Sequence, residues 1–337
     1  MALKPPVEVP QGAIRLNTDS QKLEFYAQDR WYEFATNSPT LDGGDRAVCA
    51  GGSTPSNVDT IDFATITTAG NFTDFGDLTT PFGFPCKNTC ASRTRGMIAG
   101  SSSPGDTINF ITFSSTGDAT DFGDLTYAVM QGQQLSNQTR GIFAGGYSPQ
   151  PSIVNTINFV TIATAANALD FGDMIDDTRG AASYASPTRG VFHAGRFSNP
   201  IGITNVIQFL QIATTGNTQD FGDATTARDF SSGASNATRG LSVGGRTPSS
   251  SKIMDFITIA TTGNATGFGD LTEENDEGSG CSNSTRMLTT GGSNSGSSSI
   301  NSVQYLSIIT GGGSVDFGDL TQGRQHHTAL SNAHGGL

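Results

Sequence analysis

Apolar and polar residues alternate with a period of two through most of this chain, in short runs that end at glycines or at clusters of Ser, Thr and Asn. "NTINFVTIAT" (155–164) and "MDFITIATT" (254–262) place β-branched and aromatic side chains at alternate positions, which predicts strands buried on one face. A second kind of run couples a Thr-Arg-Gly step to an apolar stretch and small residues. It reads "TRGMIAGS" (94–101), "TRGIFAGG" (139–146), "TRGVFHAGR" (188–196), "TRGLSVGG" (238–245) and "TRMLTTGG" (285–292), with "DRAVCAGG" (45–52) opening the series. A third strand carries Asp-Phe-Gly-Asp, as in "ANALDFGDM" (166–174), and a small-residue segment such as "GAASYAS" (180–186) makes a fourth.

The phenylalanines of the third run, Phe75, Phe122, Phe171, Phe221, Phe268 and Phe317, are separated by 47, 49, 50, 47 and 49 residues. Asp-Phe-Gly is also the magnesium-binding signature of protein kinases, but a kinase needs one copy. No Gly-rich phosphate loop, Val-Ala-Ile-Lys strand or His-Arg-Asp loop accompanies it. The motif is therefore a structural repeat, and a period in this range indicates a β-propeller or a linear array of four-stranded units. "ALSNAHGGL" (329–337) aligns with "QLSNQTRGI" (134–142) and supplies the small-residue strand that the first repeat lacks. Such a split repeat suits a closed ring. The expectation is a six-bladed β-propeller over residues 42–337, its blades at about 42–78, 79–125, 126–174, 175–224, 225–271 and 272–320, with 321–337 returning to the first.

Residues 1–41 are different. "GAIRLNTDSQKLEFYAQDRWYEFAT" (12–36) predicts a meander of three strands over 13–17, 22–26 and 30–34, too small to be stable alone and therefore an arm that packs on a partner. Its candidate contact residues are Ile14, Leu16, Leu23, Phe25, Trp31 and Phe34.

Composition agrees with an all-β chain: 43 glycines and 21 phenylalanines, but only four lysines, leave little material for helices. A formal net charge of −12 argues against nucleic acid as a partner. No apolar run approaches the ~18 residues that span a bilayer, and "MALKPPVEVP" lacks a secretory hydrophobic core. A protein made and assembled in a cytoplasm, without membrane insertion, is the expectation. Cys49, Cys86, Cys90 and Cys281 fall at unmatched places in the repeats and form no disulfide framework.

Two resemblances add to this. The paired glycines Gly51-Gly52, Gly145-Gly146, Gly244-Gly245 and Gly291-Gly292 resemble those that close a strand in each blade of kelch-like propellers, although the typical kelch Tyr and Trp positions are absent. "PQGAIRLNTDSQKLEFYAQDRW", from Pro10 through Trp31, is similar to short meanders in structural proteins of tailed bacteriophages, especially marine and cyanobacterial ones. That resemblance implies a virion protein, assembled in a bacterial host cytoplasm, whose arm at 1–41 holds other virion proteins.

In Asp-Phe-Gly-Asp the Phe is expected to bury between blades, the Gly to bend the chain and the second Asp to bond backbone in a turn, with cation binding by the paired carboxylates as the alternative. The recurring Arg46, Arg95, Arg140, Arg189, Arg239 and Arg286 are expected to fork onto a carboxylate of that turn or onto a strand-end carbonyl. A ring of arginines around an anion channel is the sharper alternative. His326 and His327 are adjacent on a predicted strand and point to opposite faces, and Cys86 and Cys90 lack a second ligand pair, so neither makes a metal site. No nucleophile elbow or standout carboxylate pair appears, so the expectation is a protein without catalytic residues or cofactors.

The loops after the paired glycines vary from blade to blade. Tyr147, Phe197 and Ile201 on them are the candidate ligand contacts. The function this suggests is non-covalent recognition of a host-surface glycan or protein by a tail- or head-fibre protein in several copies, a homo-oligomer where the copies adjoin. The alternatives are a capsid or tail decoration protein with no host ligand, and a polysaccharide hydrolase or lyase.

Overall fold

The computed structural model describes residues 9–17, 22–33, 45–101, 105–148, 152–198, 201–296 and 299–337. The fold is all-β, with no helix among the described residues, and the chain separates into two compact units, Met1–Leu41 and Asp42–Leu337.

In the smaller unit the strands Ile14–Asn17, Lys22–Ala27 and Arg30–Glu33 pair antiparallel in that order. Gln28 and Asp29, at φ 48° and 61°, make the two-residue turn whose twist suits a tight hairpin. Ile14 opposes Phe25, Leu16 opposes Leu23, and Phe25 opposes and stacks on Tyr32, so these side chains share one face. Ile14, Leu16 and Leu23 are exposed there. Trp31, grouped with them from the sequence, stands on the opposite face. It meets Tyr26, and the Arg15 guanidinium lies 4.1 Å from its ring, because Trp31 is one residue out of phase with Tyr32. Phe34 lies outside the described residues.

The larger unit holds six antiparallel sheets of three or four strands among its described residues, named I to VI here. Sheet III runs Gln133–Ser136, Arg140–Ala144, Thr156–Thr161, Leu169–Asp173. Sheet IV runs Ala182–Ala185, Arg189–Ser198, Ile201–Gln211, Gln219–Asp223. Sheet V runs Ser232–Ser235, Arg239–Val243, Ile253–Thr258, Thr266–Asp270. Sheet VI runs Ser279–Ser282, Arg286–Thr290, Ser302–Ser307, Val315–Asp319. Sheet I combines Thr328–Ser331 with Arg46–Ala50, Thr60–Thr65 and Thr73–Asp77, with Leu330 opposite Val48.

Sheet II departs from the expectation of four strands. It has Arg95–Ala99, Gly105–Thr112 and Thr120–Val129 only. The segment that would come first turns out of line at Asn88, whose φ is 71°, and runs beside sheet III. There Lys87 N–H donates to Gly132 O and Gln134 N–H to Lys87 O, both at 3.0 Å.

The strand that carries Asp-Phe-Gly-Asp, or Gly-Phe-Gly-Asp in sheet V where Gly267 replaces the first Asp, is the outer edge of every sheet, and its composition answers three separate demands. The six phenylalanines are 2–8 % exposed, and each meets the aromatic residue of the preceding strand edge-on, as Phe171 meets Phe159 at 5.8 Å. Burying such a ring stabilises by roughly 1.5–3 kcal/mol. The Gly sits at a bulge rather than a bend: Ile157 pairs with Gly172 but Asn158 with Asp170, leaving Phe171 as the extra residue. A Cβ on Gly172 would lie 2.6 Å from the Gly216 carbonyl, because the neighbouring sheet passes there. The second Asp acts through its backbone and not, as expected, through its carboxylate. Asp173 N–H donates to Asn217 Oδ1 at 3.0 Å, with Asp124 to Asn167 and Asp223 to Asn264 alike. Gly216 N–H also reaches Phe171 O at 2.8 Å, so the edge is paired to the next sheet and not left open.

The recurring arginines join each sheet to the next through carbonyls. Arg140 Nη1 donates to Ile212 O and Ala213 O at 3.0 and 2.9 Å, and its guanidinium lies 4.9 Å from the Phe159 ring. Arg95, Arg189 and Arg239 repeat this onto Ala163, Ala260 and Ile309, Arg46 onto Phe113, and Arg286 onto Ile66 and Thr67. None of these six contacts a carboxylate of the Asp-Phe-Gly-Asp turn, and the groups face aromatic rings, which removes the anion-channel alternative.

The first strands of sheets III, IV, V, VI and I lie against one another in succession. Asn88 fills the space among them. Its backbone N–H donates to Ser279 Oγ, its Nδ2 to Ser183 Oγ, and its Oδ1 accepts from Gly233 N–H at 2.8 Å. Its carbonyl accepts from Gln134 Nε2 and Thr328 Oγ1. One fully buried residue thus bonds groups from five sheets, through its backbone and its side chain together.

Residues 333–337 lie over the far end of the same strands. His334 Nε2 is 2.9 Å from Ala91 O, and its Nδ1 accepts from Gly336 N–H at 3.1 Å, which only the neutral imidazole can satisfy at both nitrogens. Burial depresses this group to about 4. Because the folded value lies below the unfolded one, the unfolded chain binds the proton first, and stability falls as pH drops from about 6.5 towards 4. His334 is expected to remove about 2 kcal/mol between pH 7 and 5. Urea midpoints across that range should slope less for His334→Gln than for the wild type, and parallel curves would contradict the assignment.

Candidate functional site

Nine residues beyond each repeat Phe, outside the recurring motifs, stands a column: Phe84, Gln131, Gly180, Phe230, Glu277 and His326. All six take φ between 53° and 62°. Five consecutive backbone hydrogen bonds join them, from Gln131 N–H to Phe84 O through to His326 N–H to Glu277 O at 2.8 Å. The repeat therefore fixes the backbone of this column and leaves its side chains free to differ. A column that keeps its spacing and φ while its residue type changes at almost every step was the available signal.

The side chains collect around Phe230, which is 2 % exposed and lies against Gly180, where a Cβ would approach the ring to 3.0 Å. Lys87 Nζ donates to Phe230 O at 3.1 Å. The guanidinium groups of Arg246 and Arg179 stand 4.7 and 5.1 Å from the Phe230 ring, and His326 meets it edge-on while stacking on Phe84 at 4.1 Å. His326 Nε2–H donates to Glu277 Oε2 at 3.1 Å, and Arg246 Nη1 reaches Glu277 Oε1 at 3.2 Å. Burial lowers Lys87 to about 8 and keeps His326 below its ordinary value, hence neutral at pH 7. Burial raises Glu277, but the hydrogen bond from His326 and the positive charges nearby outweigh it and hold the carboxyl at about 2.

One more arginine, Arg196, completes the group. Arg179 lies 4.4 Å over Tyr147 and donates to Gln131 Oε1. Arg196 Nε donates to the buried Asp229 Oδ2 at 2.7 Å, and Arg246 Nε approaches the other oxygen of that carboxylate at 3.4 Å. Four cations, Lys87, Arg179, Arg196 and Arg246, thus face three carboxylates, Asp229, Asp276 and Glu277, in a chain whose net charge is −12.

Of the residues predicted from the variable loops, Tyr147 is here, half-buried under Arg179 rather than free. Phe197 is half-buried on the hairpin between Arg189–Ser198 and Ile201–Gln211, opposite Gly202. The side chain of Ile201 lies outside the described residues. His326 and His327 diverge, but from a bend ahead of Thr328–Ser331 rather than from opposite faces of a strand, and His327 Nε2 meets Thr290 Oγ1 at 2.8 Å. All four cysteines are buried and unpaired, with Cys49 and Cys86 pushed up to about 12 by burial. No group of three or more His, Cys, Asp or Glu side chains suited to a metal occurs among the described residues.

No family model matches the chain, and no curated protein does. Among solved structures, the one titled "Structure of YjhT" superposes with a TM-score of 0.61 over 75 % of this chain and 88 % of that one, at 9 % identity. At that identity the likeness concerns the fold.

Proposed function

We propose that residues 42–337 form a six-bladed β-propeller and that the chain is a tailed-phage virion protein, displaying the propeller for non-covalent recognition of a host surface. Two features support the architecture: Thr328–Ser331 completes sheet I from the other end of the chain, and Arg286 of sheet VI donates back to sheet I. The observation that carries the recognition reading is the cluster around Phe230. The recurring Phe and Arg side chains of the repeat hold sheets together, whereas here charges and aromatics that differ from sheet to sheet gather around one ring. Contact with a ligand falls to Arg196 and Arg246, whose side chains are 28 % and 31 % exposed, whereas Lys87 and His326, at 1 % and 5 %, are out of reach and support them. The resemblance of the stretch Pro10 through Trp31 to phage meanders supports the virion assignment, with the Ile14, Leu16 and Leu23 face as its attachment surface.

Cryo-electron microscopy of intact particles that carry this chain tests the reading. Propellers held away from the particle, with the Phe230 face outward, are the expected result. Propellers lying flat on a capsid or tail wall with that face covered would overturn it in favour of decoration.

A further inference from the structure

Between the hairpin that carries Arg196 and Ile203 and the turn at Arg246, Thr247 and Pro248 lies a cleft of about 510 Å³, completed by Thr226 and Ala227. Its two arginines are fixed in the same way. Each turns its Nε to the one buried carboxylate of Asp229, which holds both guanidinium planes and neutralises one of the two charges. Arg246 spends Nη1 on Glu277, whereas Arg196 makes no side-chain bond beyond that to Asp229 among the described residues, which leaves its Nη edge to the cleft. A guanidinium oriented from behind and open at its fork is the arrangement that takes a planar or tetrahedral oxyanion through two parallel hydrogen bonds. The remaining walls are the aliphatic surfaces of Ile203, Ala227 and Pro248 and the hydroxyls of Thr226 and Thr247. They offer apolar contact and hydroxyl bonding within a volume suited to one or two sugar rings.

We propose that this cleft binds the anionic group of an acidic glycan, a carboxylate or sulfate ester, with Arg196 as its principal partner and Arg246 as the second. The proposal rests on the recognition reading above and names its ligand class. The guanidinium pair supplies the selectivity and the small apolar wall the contact with the sugar face.

Isothermal titration of the full-length chain with a hexuronate trisaccharide, a sulfated trisaccharide and a neutral trisaccharide tests this. One or both acidic probes should bind and the neutral one should not, the two acidic arms separating carboxylate from sulfate ester. Arg196→Gln should weaken binding by about tenfold or more, in line with loss of a charged hydrogen-bonded pair. Arg196→Lys, which keeps the charge and loses the fork, should weaken it by a similar factor, and Thr247→Trp should block the cleft with both arginines in place. Circular dichroism of each variant reports whether it has folded. Equal binding of acidic and neutral probes, unchanged affinity in folded Arg196→Gln, or no binding by any probe would each overturn the proposal. Binding of the full chain to host cells, measured beside these titrations, separates the two levels. If cells are bound and no glycan is, the ligand class fails and recognition stands; if cells are not bound either, recognition fails with it.

Discussion

Replacing Asp255 by Asn is expected to cost about 3–5 kcal/mol, because it leaves Arg228 charged and buried without its counter-ion. Asp255 and Arg228 are both fully buried, 3.1 Å apart. The reason for the pair is visible within the repeat. Each sheet has a buried polar residue just before its third-strand aromatic: Asp62, Asn109, Asn158, Gln208, Asp255 and Gln304. Each is hydrogen-bonded by the segment that follows Asp-Phe-Gly-Asp in the sheet before it, as Thr225 binds Asp255 and Thr321 binds Asp62. Three residues beyond that bonding residue stand Phe82, Val129, Thr178, Arg228, Asn275 and Arg324. Arg occurs there only where the partner is Asp, and Arg324 bonds Asp62 as Arg228 bonds Asp255.

The double variant Asp255→Asn with Arg228→Met should therefore recover most of the loss, since it recreates the neutral pairing of the other four sheets. Urea unfolding of wild type, both single variants and the double variant measures the coupling. Additive losses would show that the two charges do not depend on each other.

Asn88→Leu is expected to destabilise the larger unit by about 4 kcal/mol. Leucine nearly preserves the volume but strands the buried Gly233 N–H, and a leucine at φ 71° adds backbone strain. Asn88→Gly relieves the strain and loses the same hydrogen bonds, so it should fall between wild type and Asn88→Leu. Thermal unfolding of the three proteins gives the order. A leucine variant as stable as the wild type would mean that Asn88 merely occupies its site without holding the first strands together.

Much of the framework was legible because it depends on short-range pattern. Alternation gave the strands, and the spacing of Phe75 through Phe317 gave the repeat. Both follow from the pleat, which turns neighbouring side chains to opposite faces and asks for a buried ring at one place in each sheet. The same local logic placed Ile14, Leu16, Leu23 and Phe25 on one face, and it sets Trp31, one residue out of phase with Tyr32, on the other.

Other features are decided only where distant segments meet. Cys86–Ala91 reads like its counterparts, but Asn88 finds donors and acceptors in five other strands and leaves its own sheet to reach them. The partners of the recurring arginines were ambiguous because carboxylate and carbonyl are equally good acceptors until the next sheet brings its carbonyls to hand. The candidate site was hidden for the same reason. Lys87, Phe230, Arg246, Glu277 and His326 are scattered along the chain and share no motif, and backbone hydrogen bonds between successive repeats bring them around one ring. Sequence alone determined which residues face inward within a strand, since that is set by local backbone geometry. Tertiary structure decided which polar groups satisfy one another, since a buried donor takes whichever acceptor the packing of the sheets delivers.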